Sequence, residues 1–74
     1  MPKTLADITF DQTVQIKDLT GPFVHQHRLI ENGFVPGTQV SLHAKLAFGG
    51  PISFFIRGSK VAIRRADAAM ILIH

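Results

Sequence analysis

A chain of 74 residues with no cysteine excludes disulfide staples, thiolate metal sites and cysteine nucleophiles, and is long enough for one domain, spanning 1–74. Hydrophobic residues make up 46% of it, ample for a core, yet a domain this small buries only about 60% of its unfolded surface, so that core is thin. The net charge of +3 is uneven: residues 1–40 carry Lys3, Lys17 and Arg28 against Asp7, Asp11, Asp18 and Glu31, whereas residues 41–74 carry Lys45, Arg57, Lys60, Arg64 and Arg65 against Asp67 alone.

The opening Met1-Pro2-Lys3-Thr4, followed soon by Asp7 and Asp11, lacks the apolar stretch of a signal peptide. Next come Val14 and Ile16, alternating with Gln15 and Lys17 as in a half-buried strand. The segment from about Phe23 to Asn32 breaks that period. Its spacing predicts a short helix, with Pro22 in the first turn and Gly33 placed for a left-handed C-terminal cap. Pro36-Gly37 then suits a type II turn. A long strand is expected from near Thr38, with Val40, Leu42, Ala44 and Leu46 facing inward.

Gly49-Gly50-Pro51 reads as a hairpin loop, and Ile52, Phe54 and Ile56 as the inward face of the following strand, with Phe55 the one apolar residue out of phase. Gly58-Ser59 separates it from Val61 and Ile63, Asp67 is placed to cap a single turn at 67–69, and Ile71 and Ile73 close the chain. The longest apolar run, 68–73, is far short of the roughly 20 residues that span a bilayer. Five short strands and one short helix predict a mainly β fold, a small barrel whose closure removes sheet edges. A soluble, cytoplasmic protein is expected.

No enzymatic constellation is visible. Ser41, Ser53 and Ser59 stand at ordinary strand and turn positions, and Gly49-Gly50 lacks the lysine and hydroxyl residue of a phosphate-binding loop. No cofactor is expected. His25 and His27 lie two apart, about 200° around a helix, and so do not chelate one ion there; His27 and Glu31 share a helical face, but two ligands make at best a weak metal site.

The order of landmarks is more specific than any one of them. Arg28-Leu29, then Gly33-Phe34-Val35-Pro36-Gly37-Thr38 and Val40, then Gly49-Gly50-Pro51-Ile52, then Ile56-Arg57-Gly58, Val61-Ala62-Ile63-Arg64, Ala68 and Ile71 together resemble the FeoA family of bacterial ferrous iron transport. Asp11-Gln12 and Asn32 depart from the usual pattern, in a loop and beside the helix. The resemblance implies an SH3-like β-barrel, a fold also found as the C-terminal domain of iron-dependent repressors. It also implies a partner, the cytoplasmic GTP-binding region of a membrane ferrous iron transporter.

Candidate contact residues are Phe23, Arg28 and Leu29 on the helix, Gly49 and Gly50 in the hairpin loop, and Phe55. Phe23 and Leu29 read first as core, because a thin core needs every large apolar group. Phe55 reads equally as a second-face core residue and as an exposed anchor. The rival reading is a basic nucleic-acid-binding barrel using Arg57, Lys60, Arg64 and Arg65. Against it, Phe55 is the one aromatic near the basic strands able to stack a base, so no nucleic-acid partner is expected.

Overall fold

The structure, a computed structural model, describes residues 3–46 and 48–74. A single 3-10 turn, Leu5–Asp7, comes first, closed by a capping box: the Thr4 hydroxyl accepts the Ala6 amide at 3.2 Å and the Asp7 carboxylate accepts the Thr4 amide at 3.3 Å. Burial resists ionisation of Asp7, but the Lys3 and Thr4 N–H groups outweigh it and hold the carboxyl below its usual value. Then follow β1 (Thr13–Leu19), α1 (Phe23–Glu31), β2 (Gln39–Lys45), β3 (Ile52–Ile56), β4 (Ser59–Ile63), the one-turn α2 (Arg65–Ala68) and β5 (Ile71–Ile73).

The strands form one antiparallel sheet in the order β4-β3-β2-β1-β5. β1 serves two neighbours. Its start pairs with β2 (Thr13 opposite Ser41) and its end with β5 (Leu19 opposite Ile71), with a register shift between Ile16 and Asp18. The sheet curls around Ile16, Val40, Leu42, Ile52, Phe54, Ile56, Ile63, Ile71 and Ile73, all buried. Leu5, Ile8, Leu19, Leu29, Phe34 and Ala68 complete the core, and the Phe34 ring meets Phe54 edge to face at 6.2 Å.

The alternation read from sequence places these inward residues correctly, with three departures. Closure is incomplete: β4 and β5, the two ends of the sheet, do not pair with each other. Ala44 and Leu46, both expected inward, are not: Ala44 lies outside the core and Leu46 is 59% exposed. The cause is an irregularity in β2, where Leu42 opposes Phe54 but Ala44 opposes Ser53, so His43 is an extra residue that shifts the side-chain phase. Lys45 then faces the Ile52 side and reaches the Ala6 carbonyl at 2.9 Å. Finally, Asp67 lies inside α2 rather than capping it. The residue before the turn is Arg64, and buried Asp67 accepts from its Nε at 3.3 Å.

Candidate functional site

The geometry of α1 follows from its two ends. Pro22 stands just before it, with φ near −59°, and its carbonyl accepts the amides of His25 and Gln26. At the other end Gly33 takes φ +101°, its amide donates to Ile30 O and the Phe34 amide to Leu29 O, both at 3.0 Å. This is a Schellman ending, and its usual apolar contact is supplied here by Leu29 and Phe34, both in the core.

Leu29 is the one residue of α1 that is buried, at 2% exposure. Named among the contact residues but read first as core, it is the pin that holds the helix down. At about 100° per residue, His25 and Gln26 flank Leu29 on the inward side. The Nδ1 of His25 is buried there without a hydrogen-bond partner. Phe23, Val24, His27, Arg28 and Glu31 lie on the opposite side, lining an open hollow of about 480 Å³. Phe23 is 80% exposed, and Val24 and Ile30 are also exposed.

The reading of Phe23 as core is therefore corrected. A helix this short has room for one anchor, and Leu29 takes it. Burying a phenylalanine contributes roughly 1.5–3 kcal/mol, so an exposed Phe23 forgoes a term that a thin core would use. Single exposed apolar residues are ordinary; three on one short helix, with polar His25 and Gln26 turned inward, invert the usual amphipathic order. A helical wheel puts Phe23 and Val24 opposite Leu29, but which of the two faces is buried is seen in the fold alone.

The outward face is ordered by its polar members. His27 Nδ1 lies 2.8 Å from Glu31 Oε1, and the Phe23 and His27 ring centroids are 6.3 Å apart. Glu31 is thus engaged by His27, while His25 points elsewhere. Among the described residues no three His, Cys, Asp or Glu side chains converge as metal ligands. Arg28 has no carboxylate partner among the described residues.

The other candidate contacts lie elsewhere. A side chain at Gly33 would come within 3.9 Å of both Ile56 and Arg57, so the end of α1 adjoins the β3–β4 turn. Gly49 and Gly50 belong to the loop at the opposite end of β3, where Arg65 reaches the Leu46 carbonyl at 3.3 Å. Phe55 is 42% exposed on the outer face of the sheet, with the His43 ring at 4.8 Å and Lys60 Nζ 6.0 Å from its centroid. It does not lie under the helix. Ser41, Ser53 and Ser59 make no hydrogen bond to a histidine or carboxylate among the described residues.

The FeoA domain family model matches residues 3–74. The FeoA of Stenotrophomonas maltophilia, solved with zinc and described as a prokaryotic SH3 domain protein, is 25% identical, with a TM-score of 0.79 over 99% of this chain and 91% of its own. A FeoA-like protein from Clostridium acetobutylicum is 24% identical, with a TM-score of 0.84 over 100% of this chain and 88% of its own. A manganese-dependent transcriptional repressor shares the fold at 17% identity and a TM-score of 0.85, covering 96% of this chain and 40% of the repressor. No protein of curated function matches in sequence. The mainly β fold expected from the strands, and the SH3-like fold that the resemblance implied, agree with the fold of these structures.

Proposed function

The chain belongs to the FeoA domain family, which is associated with ferrous iron transport, and from that premise we propose that it is an accessory, regulatory protein of bacterial ferrous iron uptake. It docks on the cytoplasmic GTP-binding region of the membrane iron transporter and acts by binding rather than by chemistry. The observation that carries this reading is the inverted helix: Phe23 and Val24 exposed along an open hollow, Ile30 exposed as well, and Leu29 alone buried. Such a face is stable but unfinished, and a partner completes it. Phe23 has the size and exposure of an interface anchor, while Arg28 and the His27–Glu31 pair provide a polar rim. No helix of the described chain is long and apolar enough to cross a membrane, and on this reading the protein reaches its transporter by docking in the cytoplasm.

Calorimetry of the full chain against the transporter's cytoplasmic region tests the proposal. Phe23→Ser should weaken binding at least about tenfold, in the range of an interface hot spot, while shifting stability by no more than about 0.5 kcal/mol, as expected for an exposed site. Leu29→Ala should do the reverse first, costing about 2–4 kcal/mol of fold stability. Wild-type affinity for Phe23→Ser would remove α1 from the interface.

A further inference from the structure

The two ends of the sheet are finished differently. β5 pairs with β1 on one side, and on the other Leu72 bridges to Thr4 and the Ile73 amide donates to the Lys3 carbonyl at 3.1 Å. That edge is covered by the chain's own N-terminal segment. Among the described residues β4 has a neighbour on one side only, β3. The turn between them has two residues, Arg57 and Gly58, both with positive φ (51° and 78°), so Ile56 and Ser59 form the closing pair. Antiparallel bonding alternates along the strand. Ser59, Val61 and Ile63 therefore bond to β3, and the N–H and C=O groups of Lys60 and Ala62 point off the open edge. No other backbone or side-chain group among the described residues bonds to them. An open edge is a template for another strand.

The charge around this edge decides what kind of strand it suits. Arg57 precedes β4, Lys60 lies within it, and Arg64 and Arg65 follow it. Asp67 is the one nearby carboxylate in sequence, and it is buried and held by Arg64. A second copy of this chain is a poor occupant. An antiparallel pair centred on Lys60 sets Lys60 against itself; centred on Ala62 it sets Lys60 against Arg64; centred on Val61 it brings the Arg57 turn of each copy toward the Arg64-Arg65 end of the other. Each of these three registers, the ones centred within β4 that keep the inner face inside, brings like charges together, which is unfavourable in a sheet. Val61 is half-buried and packs against the core, so an apolar residue beside it on the inner face would complete its cover.

We propose that the open edge of β4 binds an extended, acidic peptide segment of a partner protein by strand addition, with apolar residues alternating inward beside Val61 and carboxylates outward beside Lys60, Arg57 and Arg64. This surface is separate from the outward face of α1, and the basic residues that sequence alone left open to a nucleic-acid reading are those that select the peptide. Backbone pairing gives the affinity; the cations exclude both self-pairing and basic strands.

The probe is a blocked eight-residue peptide alternating valine and glutamate, titrated into the 15N-labelled full chain. The amides of Lys60 and Ala62 should shift and gain exchange protection. The same peptide N-methylated at alternate residues, or with lysine for glutamate, should not bind. Lys60→Glu should weaken binding about fivefold, in keeping with one exposed charge pair reversed. Ala62→Pro removes an outward N–H that β3 does not use and should abolish the complex with the fold intact; Phe23→Ser should bind the peptide normally. The proposal is overturned if β4 amides do not respond, if the N-methylated peptide binds equally well, or if a single-stranded oligouridylate binds these residues more tightly than the peptide.

Discussion

Replacing Gly37 with valine tests the junction that sets the register of the sheet. Val35 O accepts the Thr38 amide at 3.1 Å across Pro36-Gly37, and Gly37 takes φ +92°, the geometry of a type II turn. The turn is also tied to β1: the Gly37 amide donates to Ile16 O at 2.8 Å, and the Ile16 amide donates to Thr38 O at 2.9 Å. A Cβ at Gly37 would meet nothing within 4 Å, so the cost of a side chain is conformational, not steric contact with neighbours. A residue forced into this sparse backbone region costs about 1–3 kcal/mol, with a β-branched one at the upper end. The stiffer unfolded chain returns about 0.4–1 kcal/mol. The net loss should be about 1–2 kcal/mol, a fall in melting temperature of roughly 4–16 °C for a domain this small. Urea melts should show a lower midpoint at unchanged slope. Gly50→Ala is the control. Its φ is not positive, and the new Cβ would press at 3.1 Å on Leu46, an exposed side chain free to move, so the loss should be milder. If Gly37→Val melts at the wild-type midpoint, the turn does not bear the strain assigned to it, and its role in holding β2 in register is wrong.

Arg57 occupies a left-handed position that asparagine fills with less strain. Arg57→Asn should therefore raise stability by about 0.5–1 kcal/mol while weakening the acidic peptide, a divergence visible by comparing urea melts with peptide titrations. Asp7 should contribute to acid sensitivity. Its carboxyl is lower in the folded chain than its usual value, so its contribution is complete above the unfolded value of about 3.9 and is lost as pH falls through the folded one. Asp7→Asn should flatten stability against pH below about 4 relative to wild type, measured by urea melts at stepped pH; an unchanged profile would show that the capping box does not contribute.

The strands were legible because one face of each is buried, and burial writes a period of two into Val40-Ser41-Leu42 and Ile52-Ser53-Phe54. The irregularity at His43 was not, because nothing in the residue types around it marks where the ladder gains a residue. One extra position then sent Leu46 outward and Lys45 toward the core side. The bounds of α1 were legible in Pro22 and Gly33, residues whose backbone limits are local. Which way the helix faces was not, since the rule that large apolar groups go inside fails for Phe23 and Val24 and holds for Leu29. The open edge of β4 was hidden for a different reason. Five strands suggest closure, and whether the last pairing forms depends on α2 and the N-terminal segment, which carry no periodic signal.

The failures of the inward rule have a common direction. Of the six phenylalanines, Phe34 and Phe54 are buried and Phe10, Phe23, Phe48 and Phe55 are exposed. A chain selected for stability alone would not leave them so, because a thin core gains most from its largest apolar groups. Phe48 is the extreme case, fully exposed and held at φ +63°, unfavourable in both solvation and backbone. Aliphatic residues do the inward work instead: isoleucine, leucine and valine supply most of the buried set. The division fits a domain whose aliphatic core is sufficient to hold the sheet, which frees its aromatic side chains for contacts outside it. On that division, substitutions on the outward face of α1 and the edge of β4 should leave folding nearly unchanged, so that loss of binding at either surface reads as loss of contact.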